Sequence, residues 1–175
     1  MSVLFVDESK AQGYTMVAVF VALAEIRDLR RKVRSLVLPG QRRIHFTKES
    51  SDRKRRILSR FVEYGVRSQV FHCATKNQAR GRLACLSGIV AYAVANTHAK
   101  IVLERDESAE KSDRQFLFTE VRRHGRGGAL SYTHQVPHQE LLLWLADAIA
   151  WAHVKGGRVE AKSGAADFGC HNISG

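Results

Sequence analysis

The alternation of apolar and polar residues begins at once. Ser2 to Val6 is a short apolar run ending in Asp7-Glu8-Ser9, and a two-residue period sets Val3, Phe5 and Asp7 on one face of a strand. Gly13 marks a turn, and Tyr14 to Leu23 is rich in β-branched and aromatic residues, so the two runs predict an antiparallel hairpin. From Ala24 to Val37 the period becomes helical, with Ile26, Leu29, Val33 and Leu36 on one face and Arg27, Arg30, Arg31 and Arg34 on another. Pro39-Gly40 ends that helix, and Ser50, Ser51 and Asp52 offer caps for a second one reaching Tyr64, with Arg53, Arg56 and Arg60 outward. Val66 to Ala74 alternates as a third strand, Lys76 to His98 keeps a helical stripe of Leu83, Leu86, Val90 and Val94, and Ile101 to Glu104 is a brief buried strand. Ser112 is placed to cap a helix through Val121, and Arg122, Arg123 and Arg126 lie in a Gly-rich basic loop. Ala129 to Val136 reads as the last strand.

Pro137 is placed to open a final helix, and Glu140 to Trp151 is apolar almost all round, the mark of a helix buried on every side. Asp147 interrupts it. A buried carboxylate must be protonated, paired or bound to a metal, because an unpaired buried charge costs several kcal/mol. Beyond Gly156-Gly157 the chain has little apolar content, which predicts a flexible tail over 156–175 after a single domain over 1–155. The element order predicts a mixed α/β fold, a five-stranded sheet flanked by helices.

Composition then narrows the chemistry. Lysine and arginine number 28 against 17 acids in 175 residues, and the net charge of +11 favours an anionic partner such as nucleic acid. Cys73, Cys85 and Cys170 are odd in number and lack CxxC spacing, which argues for reduced thiols and a cytoplasmic setting. Asp7 and Glu8 break the N-terminal apolar run, so it does not read as a secretory signal, and no stretch is apolar enough to span a membrane. Ligand sites in such sheets form beyond strand ends, where Asp7, Glu8, Glu104 and Asp106 fall. With Asp147, these acids form the candidate metal ligands. Mg²⁺ and Mn²⁺ prefer oxygen donors, and a carboxylate cluster tolerates its own repulsion when a cation neutralises it. Two such ions can generate an attacking hydroxide and stabilise a phosphodiester's leaving oxygen.

The residues also resemble a known family. Asp7-Glu8-Ser9, Ile44-His45-Phe46 and Leu143-Trp144-Leu145-Ala146-Asp147 are similar, over roughly 1–155, to the domain-of-unknown-function 3800 family, whose fold is ribonuclease H-like. Its members show Asp-Glu-Ser-Gly, an acid-x-His-Phe segment and Leu-Gln-x-Ala-Asp, with the first and last aspartates as presumed ligands. The resemblance therefore implies Asp7 and Asp147 as ligands, completed in a ribonuclease H-like sheet by an acid ending the fourth strand, here Glu104. In this chain Lys10 replaces the glycine, Arg43 stands where an acid often precedes His-Phe, and Trp144 replaces the glutamine. The helix from Lys76 to His98 has no carboxylate, so a fourth ligand would come from Glu8, Asp106 or His45.

These features imply a Mg²⁺- or Mn²⁺-dependent nuclease or related phosphoryl-transfer enzyme acting on RNA, DNA or a hybrid. Asp7 would bridge the cations, Glu104 and Asp147 would hold one each, and His45 would carry a proton or contact substrate. The arginines of the first two helices and the Arg122 to Arg126 loop would hold the polymer. A non-catalytic nucleic-acid-binding protein on the same fold is the alternative. Zinc ligation finds no tight pair among the histidines and cysteines, Cys170-His171 included, and a hydrolase reading lacks a GxSxG elbow and places Cys85 in an apolar stripe.

Overall fold

The computed structural model describes residues 1–11 and 13–155, together with the backbone of 168–172. β1 (Ser2–Ser9) is buried on both faces: Val3 and Phe5 enter one core and Leu4 and Val6 the other. β2 (Tyr14–Ala22) pairs antiparallel with β1, Asp7 opposite Val17, as the hairpin pattern predicts. β3 (Arg67–Cys73) is antiparallel to β2, while β4 (Lys100–Glu104) runs parallel to β1 and β5 (Ser131–Gln135) parallel to β4. The order is β5-β4-β1-β2-β3, extended by β6 (Phe168–Asn172), which lies parallel to β3. The expected five-stranded mixed sheet is therefore present, with a further strand on its edge. The expectation of a flexible tail falls at 156–167 and 173–175 outside the described residues, and between them the backbone of β6 pairs in the sheet. The side chains of Cys170 and His171 are likewise outside them.

Helices cover both faces. On one side lie α1 (Ile26–Arg34), α2 (Ser51–Glu63) and α5 (Leu143–Val154), which bury Leu29, Val33, Ile57, Phe61 and most of α5 against Val3, Phe5, Val17 and Val19. On the other lie α3 (Gln78–Ala95) and α4 (Glu110–Arg123), which bury Cys85, Leu86, Ile89, Leu117 and Val121 against Leu4, Val6, Met16 and Phe71. α3 sits close to the sheet: a Cβ on Gly81 would come within 2.5 Å of Tyr14 Cβ. No helix among the described residues is long and apolar enough to cross a membrane.

Several boundaries differ from the sequence pattern, each for a local reason. Ser50 caps α2 by accepting the Arg53 N–H, and Asn77 caps α3 by accepting that of Arg80. α4 starts ahead of Ser112, because the turn at Asp106 already accepts the Ala109 and Glu110 N–H groups. α5 starts at Leu143 rather than beside Pro137, because the buried Glu140 carboxylate accepts the Leu142 N–H at 3.1 Å and pairs with Arg30. The buried stripe of α3 runs through Arg82, Cys85, Leu86, Ile89, Val90 and Ala93, with Leu83 and Val94 only half-buried.

Candidate active site

Three acids from three elements meet on the α5 side of the sheet. Asp7 continues the face of Val3 and Phe5, and Glu104 continues that of Val102, so both point toward α5. The parallel register pairs Val6 with Leu103, which puts Asp7 and Glu104 side by side on neighbouring strands. Asp7 Oδ1 accepts the Glu8 N–H at 2.7 Å. Asp147 approaches from α5, near the Phe46 backbone. A 370 Å³ cavity opens beside the strand ends, lined by Asp7, Glu8, Glu104, Arg105, Asp106 and Glu107.

The electrostatics follow from this crowding. Burial pushes Asp7 well above the usual carboxylate range, and the charges of Glu104 and Asp147 push it further. Glu104 is raised to about 7, first by burial and then by Asp147, against a lowering by Arg43. Asp147 is raised by burial, opposed by His45, the Phe46 N–H and Arg43. Proximity of like charges in a buried setting favours protonation, and a divalent cation removes the same cost by neutralising them. The donor set, all oxygen and all anionic, suits a hard cation. Among the described residues no three such side chains are arranged to enclose an ion.

The segment before the 3₁₀ turn Phe46–Lys48 forms the site's other wall. Ile44 and Phe46 are buried, and the Phe46 ring meets Trp151 of α5 edge-on at 5.4 Å between centroids. His45 is half-buried beside Asp147, its Nδ1 3.2 Å from the Thr47 hydroxyl. Arg43 is half-buried and acts on both Glu104 and Asp147.

The remaining sequence candidates lie at the edge of this cavity or away from it. Glu8 turns to the opposite face, where it pairs with Arg82 and, at 3.1 Å, with Lys10. Asp106 lies at the cavity rim, accepting the Ser108 N–H at 3.0 Å and the Ser108 hydroxyl at 2.5 Å, with Lys10 at 3.3 Å. These contacts, the Ser108 hydroxyl first, hold its carboxyl below the usual range against the opposing effect of burial. On α1, Arg30 pairs with Glu140 and Arg31 with Asp28, while on α2 Arg53 reaches the Leu36 carbonyl and Arg60 pairs with Glu63 at 2.5 Å. Among the described residues Arg27, Arg34 and Arg56 have no carboxylate within ion-pair distance. Arg122 stacks 3.9 Å over the exposed Phe118 ring, Arg123 pairs with Glu120 at 2.6 Å, and Arg126 is half-buried. These last residues belong to the α4 layer. They lie at the N-terminal ends of β4 and β5, the far end from Glu104, since Ser131 pairs with Lys100.

One buried cluster has no counterpart among the sequence candidates. Arg82 donates from Nε and Nη2 to both oxygens of Asp113 at 2.8 and 2.7 Å, and from Nη1 to the Tyr14 hydroxyl at 2.7 Å and to Glu8. His134 Nε2 meets Asp113 Oδ2 at 2.9 Å. The signal was a charged residue on each apolar stripe: Arg82 four residues before Leu86, and Asp113 four before Leu117.

No protein-family model and no curated protein matches the chain. A solved structure does: the ribonuclease HII in the PCNA:RNase HII complex from Archaeoglobus fulgidus, with a TM-score of 0.55 and 13% identity, over 88% of this chain and 72% of that one. The fold is ribonuclease H-like. At that identity the likeness extends to architecture alone, and function rests on this chain's own site.

Proposed function

We propose that the protein is a divalent-metal-dependent nuclease, or a related phosphoryl-transfer enzyme, acting on nucleic acid, and that it belongs with the domain-of-unknown-function 3800 family. The observation that carries this reading is the convergence of Asp7, Glu104 and Asp147 from β1, β4 and α5, each raised in pKa by burial and, for Asp7 and Glu104, by the other acids. Such a cluster is costly in a fold built for stability alone and useful in one that takes up a cation. Asp7, Glu104 and Asp147 would hold Mg²⁺ or Mn²⁺, which when bound supplies an activated water and charge neutralisation at a phosphodiester. Glu8 and Asp106 are engaged by Arg82, Lys10 and Ser108, so they contribute to the site's field rather than to ligation. His45 faces Asp147 and is placed to meet a substrate oxygen or pass a proton. The likeness in fold to a ribonuclease HII supports the substrate class by analogy.

The test uses labelled single-stranded RNA, duplex DNA and an RNA·DNA hybrid, each incubated with Mn²⁺ or with a chelator. Cleavage of at least one polymer should require the metal and disappear in folded Asp7→Asn and Asp147→Asn. Salt-sensitive binding of these polymers without metal and without cleavage would instead favour the non-catalytic reading, which the basic charge also suits.

A further inference from the structure

Asp7 and Glu8 are neighbours on β1 whose side chains leave the sheet on opposite faces, yet Glu8 is tied to the site by three contacts. Its backbone N–H donates to Asp7 Oδ1 at 2.7 Å, so the direction of the Asp7 carboxylate depends on how Glu8 sits. Its own carboxylate divides between two cations: Oε2 meets Arg82 Nη1, and Oε1 lies 3.1 Å from Lys10 Nζ. Arg82 is itself buried, donating to both oxygens of Asp113 at 2.8 and 2.7 Å and to the Tyr14 hydroxyl at 2.7 Å. Lys10 also reaches Asp106 Oδ2 at 3.3 Å, and Asp106 is anchored by the Ser108 N–H and hydroxyl. The chain Arg82–Glu8–Lys10–Asp106 therefore joins the ends of β1 and β4 beyond Val6 and Leu103, the last paired residues of these two strands. Asp7 and Glu104 stand in that stretch, where the ladder between β1 and β4 no longer sets their spacing. Groups that orient metal ligands from outside the coordination shell change metal affinity by about 10–100-fold when removed.

We propose that Glu8 is a positioning residue of the carboxylate site: held between Arg82 and Lys10, it braces the ends of β1 and β4 and so sets the spacing and direction of Asp7 and Glu104 for a divalent cation. This rests on the metal-binding reading of Asp7, Glu104 and Asp147.

Calorimetric titration with Mn²⁺ alone tests it on wild type, Glu8→Gln, Glu8→Asp, Lys10→Gln and Lys10→Arg, with Glu107→Gln as a control and circular dichroism as a check on folding. Glu107 is exposed and lines the same cavity but takes no part in the brace, so its loss removes one negative charge from the same place. Glu8→Asp keeps the charge of Glu8 and shortens its reach by one methylene, so it cannot span both cations. Both Glu8 variants should bind about tenfold more weakly than wild type, and more weakly than Glu107→Gln. Lys10→Gln separates positioning from charge. Loss of a positive charge beside the acids would by itself tighten cation binding, and so would release of Glu8 if Glu8 were a ligand. Loss of the brace instead weakens binding, by about threefold for a half-exposed tie, and Lys10→Arg should restore it. Unchanged or tighter binding in Lys10→Gln, or wild-type affinity in Glu8→Asp, would overturn the positioning role and leave the metal site standing. Should the Glu8 variants fail to fold, the two Lys10 variants decide. Absence of binding in wild type would overturn both readings.

Discussion

Glu104 shows most directly what the site costs the fold. Its pKa of about 7 lies above the ordinary 4.5, with burial as the leading cause and Asp147 next. Below pH 4.5 the group is protonated in both folded and unfolded chains and contributes nothing. Between about 4.5 and 7 the unfolded chain gives up the proton while the folded one keeps it, so stability falls as pH rises. Above 7 both are ionised and the penalty is complete. Glu104→Gln removes it, so the variant should gain on the order of 1 kcal/mol over wild type at pH 8, a figure discounted for partial exposure, and little at pH 5. Urea unfolding of the metal-free proteins at both values measures this, and an equal effect of the substitution at both would show that Glu104 is not held against its own charge. Asp7 and Asp147 were legible in the sequence because each breaks an apolar pattern, Asp7 at a strand end and Asp147 within a buried helix. Glu104 could be assigned only through the expected strand order, since nothing within Ile101 to Glu104 separates a ligand from a solvated strand end. Glu8 shows the limit of that logic: it adjoins Asp7 in sequence, and the two-residue period of a strand sends it through the sheet to Arg82.

Between elements, the same strand end is gripped from behind. Glu8 of β1, Tyr14 of β2, Arg82 of α3, Asp113 of α4 and His134 of β5 form one buried polar cluster on the face opposite the site. Burial works against the charge of Arg82, but its bonds to Asp113 and the charge of Glu8 keep it ionised. Asp113, despite its burial, is likewise lowered by Arg82 and His134. Removing the cation would leave the buried Asp113 with His134 as its remaining partner, and truncation of one partner in a buried ion pair costs about 3–5 kcal/mol. Arg82→Met should therefore reduce unfolding free energy by that order in a denaturant titration. Arg82→Lys should recover only part of it, because an ammonium cannot give the paired bonds that the guanidinium gives Asp113. A loss below about 1 kcal/mol for Arg82→Met would mean that the cluster adds no more than a surface ion pair. Elements whose period was unbroken were readable with their type intact, as the β1–β2 hairpin and α3 show. Boundaries set by tertiary partners were not. The Glu140 carboxylate delays α5, and the Asp106 turn advances α4, and in each case the deciding contact is with the folded backbone rather than with a propensity in the helix.

Across the molecule, the sheet divides the basic residues that the sequence pooled into one binding surface. α1 and α2 share their layer with α5, and so with Asp7, Glu104 and Asp147, whereas Arg122, Arg123 and Arg126 follow the opposite layer to the far end of the sheet. Charge and periodicity reveal that each arginine stripe is exposed, but the side of the sheet a helix covers depends on how the chain crosses over, which no local pattern states. Intramolecular pairing divides them again. Arg27, Arg34 and Arg56 lack carboxylate partners among the described residues, so a phosphate would meet them without first breaking an ion pair, unlike Arg31, Arg60 or Arg123. Each phosphate contact lowers the slope of log affinity against log salt by about 0.7 for a single strand and about 0.9 for a duplex. If the polymer lies across the carboxylate face, replacing Arg27, Arg34 and Arg56 together by Gln should weaken binding and reduce the salt slope by about 2. Replacing Arg122 and Arg126 by Gln should leave the slope within about half a unit of wild type, since α4 spans about 21 Å between the two ends of the sheet. Fluorescence anisotropy of a labelled oligonucleotide in chelator, across a salt series, reads both slopes. A larger effect from the Arg122 and Arg126 pair would place the polymer on the α3–α4 side and separate binding from the carboxylate cluster. A polymer held there could not reach Asp7 and Asp147 along the same path, because the sheet itself stands between.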